Sequence, residues 1–192
     1  MKQHSQRTEL LAQLYTGNPG QLLARAHALA AWLREHAAPS ACGGGQPTSN
    51  PLMDTLPQLR QAADNLARLM QALGLGENCR LCAARPGGGC CSAYMAANSD
   101  AVLITLNLLL DVKVQLQVHT DDACCFLGAD GCLFIAKPIF CLNYYCRHLQ
   151  ENIPPDAMRG IQVVANRVLS LQNDWENKLL ALLRTHCTPF LS

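Results

Sequence analysis

The stretch 124–146, CCFLGADGCLFIAKPIFCLNYYC, sets five cysteines around a glycine-bounded turn. Two apolar pieces, CCFL and CLFI, flank GADG. Glycine and aspartate there supply the backbone angles of a tight reversal, so the pieces are expected to pair as a short hairpin. Pairing brings Cys124 or Cys125 close to Cys132. Pro138 then opens a short helix or helical turn carrying Cys141 and Cys146. Upstream, the stretch 79–91, CRLCAARPGGGCC, adds Cys79, Cys82, Cys90 and Cys91. Thiolates at this density repel one another and oxidise unless a soft cation holds them. Zn²⁺ or an iron–sulfur cluster takes four sulfurs and is the usual physical answer.

The spacing within the runs says how such an ion would be held. Cys79-x-x-Cys82 reads as a metal knuckle, in which the backbone turns so that both sulfurs reach one ion at about 2.3 Å. Gly87, Gly88 and Gly89 precede Cys90, where a side chain would crowd the metal and where bare backbone N–H groups can donate to sulfur. In extended backbone Cys90 and Cys91 point to opposite sides, so the pair serves two ions or bridges them.

Compartment decides between metal and disulfide. The chain has 192 residues, enough for one domain with its own core, and carries 11 cysteines, an odd number that suits no complete disulfide framework. Its first residues, MKQHSQRTELLAQLYTGN, lack the continuous apolar core of a signal peptide. The longest apolar stretch, 101–118, is broken by Asn107, Asp111, Lys113, Gln115 and Gln117 and is no membrane span. A reducing cytosol is therefore expected, where clustered cysteines are metal ligands or redox groups. With a net charge of +1 and scattered basic residues, no nucleic-acid footprint is present. Charged residues make up 15%, below the usual quarter, which hints that some helix faces meet a protein partner.

Three stretches have helical period. Residues 20–37 align Leu22, Ala26, Leu29 and Leu33, with Asn18 as N-cap and Pro19 at the first position. Residues 54–73 repeat the pattern until Gly74 stops it. Residues 155–186 carry the longest stripe, from Ile161 to Leu182, suited to packing on the two earlier helices and also to a dimer seam. PSACGGGQPTSNP joins the first two as a linker. The expected organisation is an N-terminal helical segment (1–38), a linker (39–53), and a body (54–192) made of a helix, the cysteine module and the long last helix. Within 101–118 the first half fits helix or strand, while VKVQLQV (112–118) alternates as a strand. The fold class expected is mainly α, with a small irregular cysteine-rich metal module containing a short β-hairpin.

The order Cys-x-x-Cys…Cys-Cys, Cys-x-Phe-Leu…Gly-Cys, Pro-x-x-Cys and a last Cys five positions on resembles the CxxCxxCC cysteine-cluster family (YkgJ-type), described as a zinc- or iron-chelating domain. Cys124 falls on the first cysteine of its second motif and Cys125 on a proline, while Phe126 and Leu127 match directly. Pro138, Cys141, Tyr144 and Cys146 take the proline, the last two cysteines and the aromatic between them. The chain departs from the pattern in its longer gap between Cys82 and Cys90, in Lys137 for an arginine, and in one residue fewer between Cys132 and Pro138. The resemblance spans about residues 79–148 and implies a metal site. One branch resembles flagellin lysine N-methylases, which implies methyl transfer from S-adenosylmethionine.

The ligand set expected is Cys79, Cys82, Cys90, Cys91, Cys124, Cys132, Cys141 and Cys146, with Cys124 preferred to Cys125 because of that resemblance. Eight thiolates fill two closed four-sulfur sites. His119, Asp121 and Asp122 read first as a solvated turn and second as mixed ligands, and His148 as a substitute ligand. Arg80, Arg85, Lys137 and Arg147 would offset thiolate charge or face solvent. Cys42 and Cys187 read as bystanders. No phosphate-binding loop, Gly-x-Ser-x-Gly or HExxH occurs. The functions expected are a cytosolic Zn- or Fe-binding protein, an iron–sulfur S-adenosylmethionine-dependent protein methyltransferase, or a zinc-stabilised protein-interaction module.

Overall fold

The computed structural model describes residues 11–36, 50–84, 91–119, 122–143 and 147–185. Helices α1 (Pro19–His36), α2 (Leu56–Ala72), α3 (Leu75–Ala83), α4 (Ala93–Ala96) and α5 (Ala101–Leu109) precede an antiparallel pair of strands, β1 (Leu127–Gly128) and β2 (Gly131–Cys132). Helices α6 (Ile139–Asn143), α7 (Arg147–Asn152) and α8 (Pro155–Thr185) follow. The protein is mainly helical, with the small hairpin as its only sheet among the described residues.

Helix α1 begins where its sequence directs. Asn18 Oδ1 accepts from Gln21 N, and Asn18 N donates to Gln21 Oε1, both at 3.0 Å. The reciprocal pair satisfies two otherwise open groups of the first turn. Helix α2 follows a 3₁₀ turn (Met53–Thr55) and ends at Gly74, whose φ of +64° an L side chain rarely adopts. Helix α8 covers the expected long stretch, and Lys178 Nζ ties it to the 3₁₀ turn through Thr55 Oγ1 at 2.8 Å.

The ambiguous first half of 101–118 is a helix, α5, and it is the centre of the fold. Asp100 caps it, Oδ1 accepting from Leu103 N at 2.7 Å. Seven of its nine residues are buried, as expected for a helix apolar on all sides. Helix α1 packs along it, with Ala26, Ala30 and Ala101 almost wholly buried and Thr105 Oγ1 donating to Ala26 O at 3.3 Å. Helix α8 packs along α2 and touches α6. The last helix therefore lies on one of the two earlier helices, while the first lies on α5. A continuous apolar core runs from Leu14 to Leu183. The N-terminal segment contributes Leu22, Leu29 and Leu33 to that core and is part of the same body.

The strand expected over 112–118 is absent. Gln117 N donates to Cys125 O at 2.8 Å, but the segment belongs to no strand. Alternation alone was insufficient: Val114 is buried, whereas Val118 is 98% exposed. A strand needs a partner along its length as well as a face to bury.

No helix of the described residues is long and apolar enough to cross a membrane.

Candidate metal centre

The hairpin forms as the sequence predicts. Leu127 pairs with Cys132 and Gly128 with Gly131 across an Ala129–Asp130 turn, and Leu133 N donates to Phe126 O at 2.9 Å. Gly131 has φ +110°, a conformation that only glycine adopts without strain. Phe126 and Phe134 stack across the base with ring centroids 4.5 Å apart, both buried in the main core. The hairpin is thus anchored by aromatics, with Cys124, Cys125 and Cys132 packed against the same core.

A backbone bridge brings the two cysteine runs together. Ser92 pairs with Ala123, with Ala93 N donating to Asp122 O at 2.6 Å and Cys124 N to Cys91 O at 2.8 Å. On the other side, α3 presses its first turn onto the hairpin tip. A Cβ on Gly76 would collide with the Asp130 carbonyl oxygen, and one on Gly131 would lie 2.8 Å from Gly76 Cα. Two bare backbones make this approach possible. It seats Cys79, on the next turn of α3, beside the hairpin.

The outcome is two adjoining cavities walled by cysteines. The outer cleft, about 490 Å³, is lined by Cys79, Cys91, Cys132 and Cys141, with Lys137 at its side. A much smaller cavity of about 20 Å³ is lined by Cys91, Cys124, Cys132 and Cys141. Three cysteines from three separate segments therefore line both spaces. Among the described residues, no group of three or more His, Cys, Asp or Glu side chains is drawn together tightly enough to hold a metal ion. The donor set still suits a soft cation, since five thiols surround two contiguous spaces.

Burial at the site favours the neutral form of its thiols. Burial pushes the Cys124 thiol up to about 11, and the neighbouring Cys132 and Cys125 add to the rise against a lowering backbone hydrogen bond at Phe126. Burial raises Cys125 as well. Lys137 is 8% exposed, and its ammonium donates to the Phe134 carbonyl.

The expected ligands divide as follows. Cys79, Cys91, Cys124, Cys132 and Cys141 meet around the two spaces, while Cys82 lines neither. Cys79 and Cys82 lie on α3 rather than on an irregular knuckle, because α3 starts directly after Gly74. Cys125 lines neither space either and packs against the main core. Cys90 and Cys146 lie outside the described residues, as do Cys42, Cys187, Arg85 and Asp121, and the side chains of Arg147 and His148 are likewise outside them. Arg80 faces solvent in an ion pair with Glu77 at 2.6 Å. Asp122 is exposed, and His119 is half-buried with a shielded Nε2 that has no hydrogen-bond partner among the described residues.

Sequence reasoning missed Asn107, which noted only that it interrupts an apolar stretch. Its side chain is wholly buried on α5 and clasps the chain beyond β2. Oδ1 accepts from Ile135 N at 3.0 Å and from Ala136 N at 3.2 Å, and Nδ2 donates to Ala136 O at 2.8 Å. A lone asparagine inside an apolar helix was the available signal, since a buried amide must find partners.

Compared with known protein families, curated proteins and solved structures, the chain matches none.

Proposed function

We propose that this chain is a cysteine-ligated metal-binding protein that takes Zn²⁺ or iron, the latter also as an iron–sulfur cluster. One observation carries the reading: Cys91, Cys132 and Cys141 line both adjoining spaces, with Cys79 added on the outer side and Cys124 on the inner. Cys82, Cys90 and Cys146 complete the eight-thiol set expected from the sequence. Kinship with the CxxCxxCC cysteine-cluster family belongs to this proposal. A bound cation would hold the thiols as thiolates and supply the local stability that their mutual repulsion removes. A closed four-sulfur site favours a structural or electron-transfer role over substrate chemistry.

Metal analysis and absorbance of protein purified without oxygen test it. Stoichiometric zinc in a colourless protein, or iron in a brown one, is the expected result; absence of either metal overturns it. Replacing Cys124 by Ser should lower metal content by at least half, while Cys125→Ser should leave it nearly intact. The reverse ranking would reject Cys124 as the ligand.

A second reading, methyl transfer from S-adenosylmethionine, draws support from the width of the outer cleft, where an outside molecule could reach the cysteines. Calorimetry of the metal-loaded protein with S-adenosylmethionine decides it. Micromolar affinity would promote that reading, and no heat of binding would remove it.

A further inference from the structure

The bridge that joins the two cysteine runs also fixes which cysteines stand opposite each other. Ser92 pairs with Ala123 in antiparallel register, and Cys124 N donates to Cys91 O at 2.8 Å. Ser92 is extended, with φ −103° and ψ 166°. One step along the bridge, Cys91 therefore lies directly across from Cys124. Opposed residues of an antiparallel pair have Cα atoms about 4.5–5.5 Å apart and side chains on one face. A disulfide needs Cα atoms about 4.4–6.8 Å apart, so the backbone already meets its requirement.

Two further observations agree with the register. Both side chains line the small cavity of about 20 Å³, and both pack against the cluster of Ala83, Ala123 and Leu127. Both are half-buried free thiols. No other two of the described cysteines are opposed in this way. Cys132 faces Leu127 across the hairpin, while Cys79, Cys82 and Cys141 lie on helices.

We propose that Cys91 and Cys124 are a modification site, a pair of thiols that a small-molecule disulfide, RSSR, closes reversibly into a bridge. Cys91 lines the outer cleft as well as the small cavity, whereas Cys124 lines the small cavity alone, so Cys91 reacts first. Its thiolate attacks one sulfur of RSSR, a bond forms to Cys91, the S–S bond of the oxidant breaks and the first RS⁻ departs. The Cys124 sulfur then displaces the second RS⁻ from the mixed disulfide. The two cysteines lose two electrons, RSSR gains both, and the two thiol protons end on two molecules of RSH. Excess RSH drives the same steps backwards. Both cysteines belong to the ligand set proposed above, so the bridge withdraws two sulfurs from any ion held there. That competition rests on the metal-binding reading, whereas the pairing does not.

The test uses full-length protein, reduced and stripped of metal by chelator without oxygen, with oxidised glutathione as the probe. Mass spectrometry of early digests, with linked peptides sequenced by fragmentation, should show Cys91–Cys124 as the first internal bridge, at least fivefold above any other. Excess reduced glutathione should remove it. Cys91→Ser and Cys124→Ser should each abolish it, while Cys90→Ser and Cys125→Ser should keep it. In urea, where the register is lost, the preference should vanish. A different first bridge, glutathione adducts alone, or the same preference in urea overturns the pairing. Zinc supplied beforehand should slow the bridge at least tenfold. Zinc that binds without slowing it overturns the competition alone, and protein that takes up no zinc or iron while forming the bridge overturns the metal reading and upholds the pairing.

Discussion

The helical frame and the cysteine module are held together by different means. In the frame, α1 lies on α5 and α2 on α8, and residues such as Leu29, Leu59, Leu66, Trp175 and Leu179 have no exposed surface. Apolar burial is the main contribution to such packing, with Arg34 Nη2 donating to Leu108 O between α1 and α5. The module has two-residue strands, one isolated bridge and a satellite apolar cluster of only Ala83, Ala123 and Leu127. Its described cysteines are half-buried, and α3 meets the hairpin through two glycines. The difference teaches that the frame carries its own core, whereas the module depends on what it is fastened to.

The largest expected effect comes from severing that fastening. Asn107→Leu fills similar volume but strands Ile135 N, Ala136 N and Ala136 O without their amide partner. At about 1–3 kcal/mol for each buried group left open, a loss of about 4 kcal/mol is expected in denaturant titration. Thiol reagents should also reach Cys132 and Cys141 faster. Unchanged stability would show that the two regions are joined elsewhere.

Leu179→Ala challenges the frame alone. Truncating this fully buried side chain on α8 should cost about 2–5 kcal/mol and lower the unfolding midpoint, with little change in the reactivity of Cys132 and Cys141 towards thiol reagents below the transition. Exposure of those thiols before loss of helicity would contradict the independence of the frame.

Gly76→Ala challenges the module alone. The new methyl forces α3 off the Asp130 carbonyl, at a cost of about 1–3 kcal/mol. Hydrogen exchange should quicken along α3 and the hairpin while α8 keeps its protection. Equal loss in both regions would mean that the module is as deeply built in as the frame.

The smallest effect concerns Asp100, at the start of α5. Its carboxyl is raised to about 6 in the folded protein from an ordinary value near 3.8, chiefly by burial. Folding therefore favours the protonated form. Its stabilising contribution is full below about pH 4 and falls away as the pH rises to about 6, by an amount on the order of 1–2 kcal/mol. Stability measured from pH 4 to 7 should show this decline in the wild type and lack it in Asp100→Asn. A slope unaltered by the substitution would assign it to another group.

Much of the frame was legible in the sequence. Asn18, Pro19 and Gly74 mark helix ends by local chemistry, and the stripes of α1, α2 and α8 report the faces that pack. The hairpin was equally legible, because GADG encodes its own turn. Helix α5 was not, since a helix buried on all sides loses the period that would distinguish it from a strand. The strand expected at 112–118 failed for the complementary reason: its alternation was real, but pairing depends on a neighbour that periodicity cannot supply. At the candidate site, the resemblance set Cys125 aside, but nothing in the sequence order of the cysteines separated those that line the cavities from Cys82. That separation depends on how α3 seats against the hairpin and on the bridge between Ser92 and Ala123, both set by contacts between distant residues. The partners of Asn107 and the meeting of Gly76 with Gly131 were illegible for the same reason.

The clasp at Asn107 also bears on the order in which the protein assembles. Helix α5 closes through contacts within nine residues, and it leaves the ribosome ahead of the segment that Asn107 binds, 28 and 29 positions later. The receptor is therefore made before the strand end it receives. Asn107 is thus synthesised before the second cysteine run, and its three hydrogen bonds fix that run between Cys132 and Cys141 against α5.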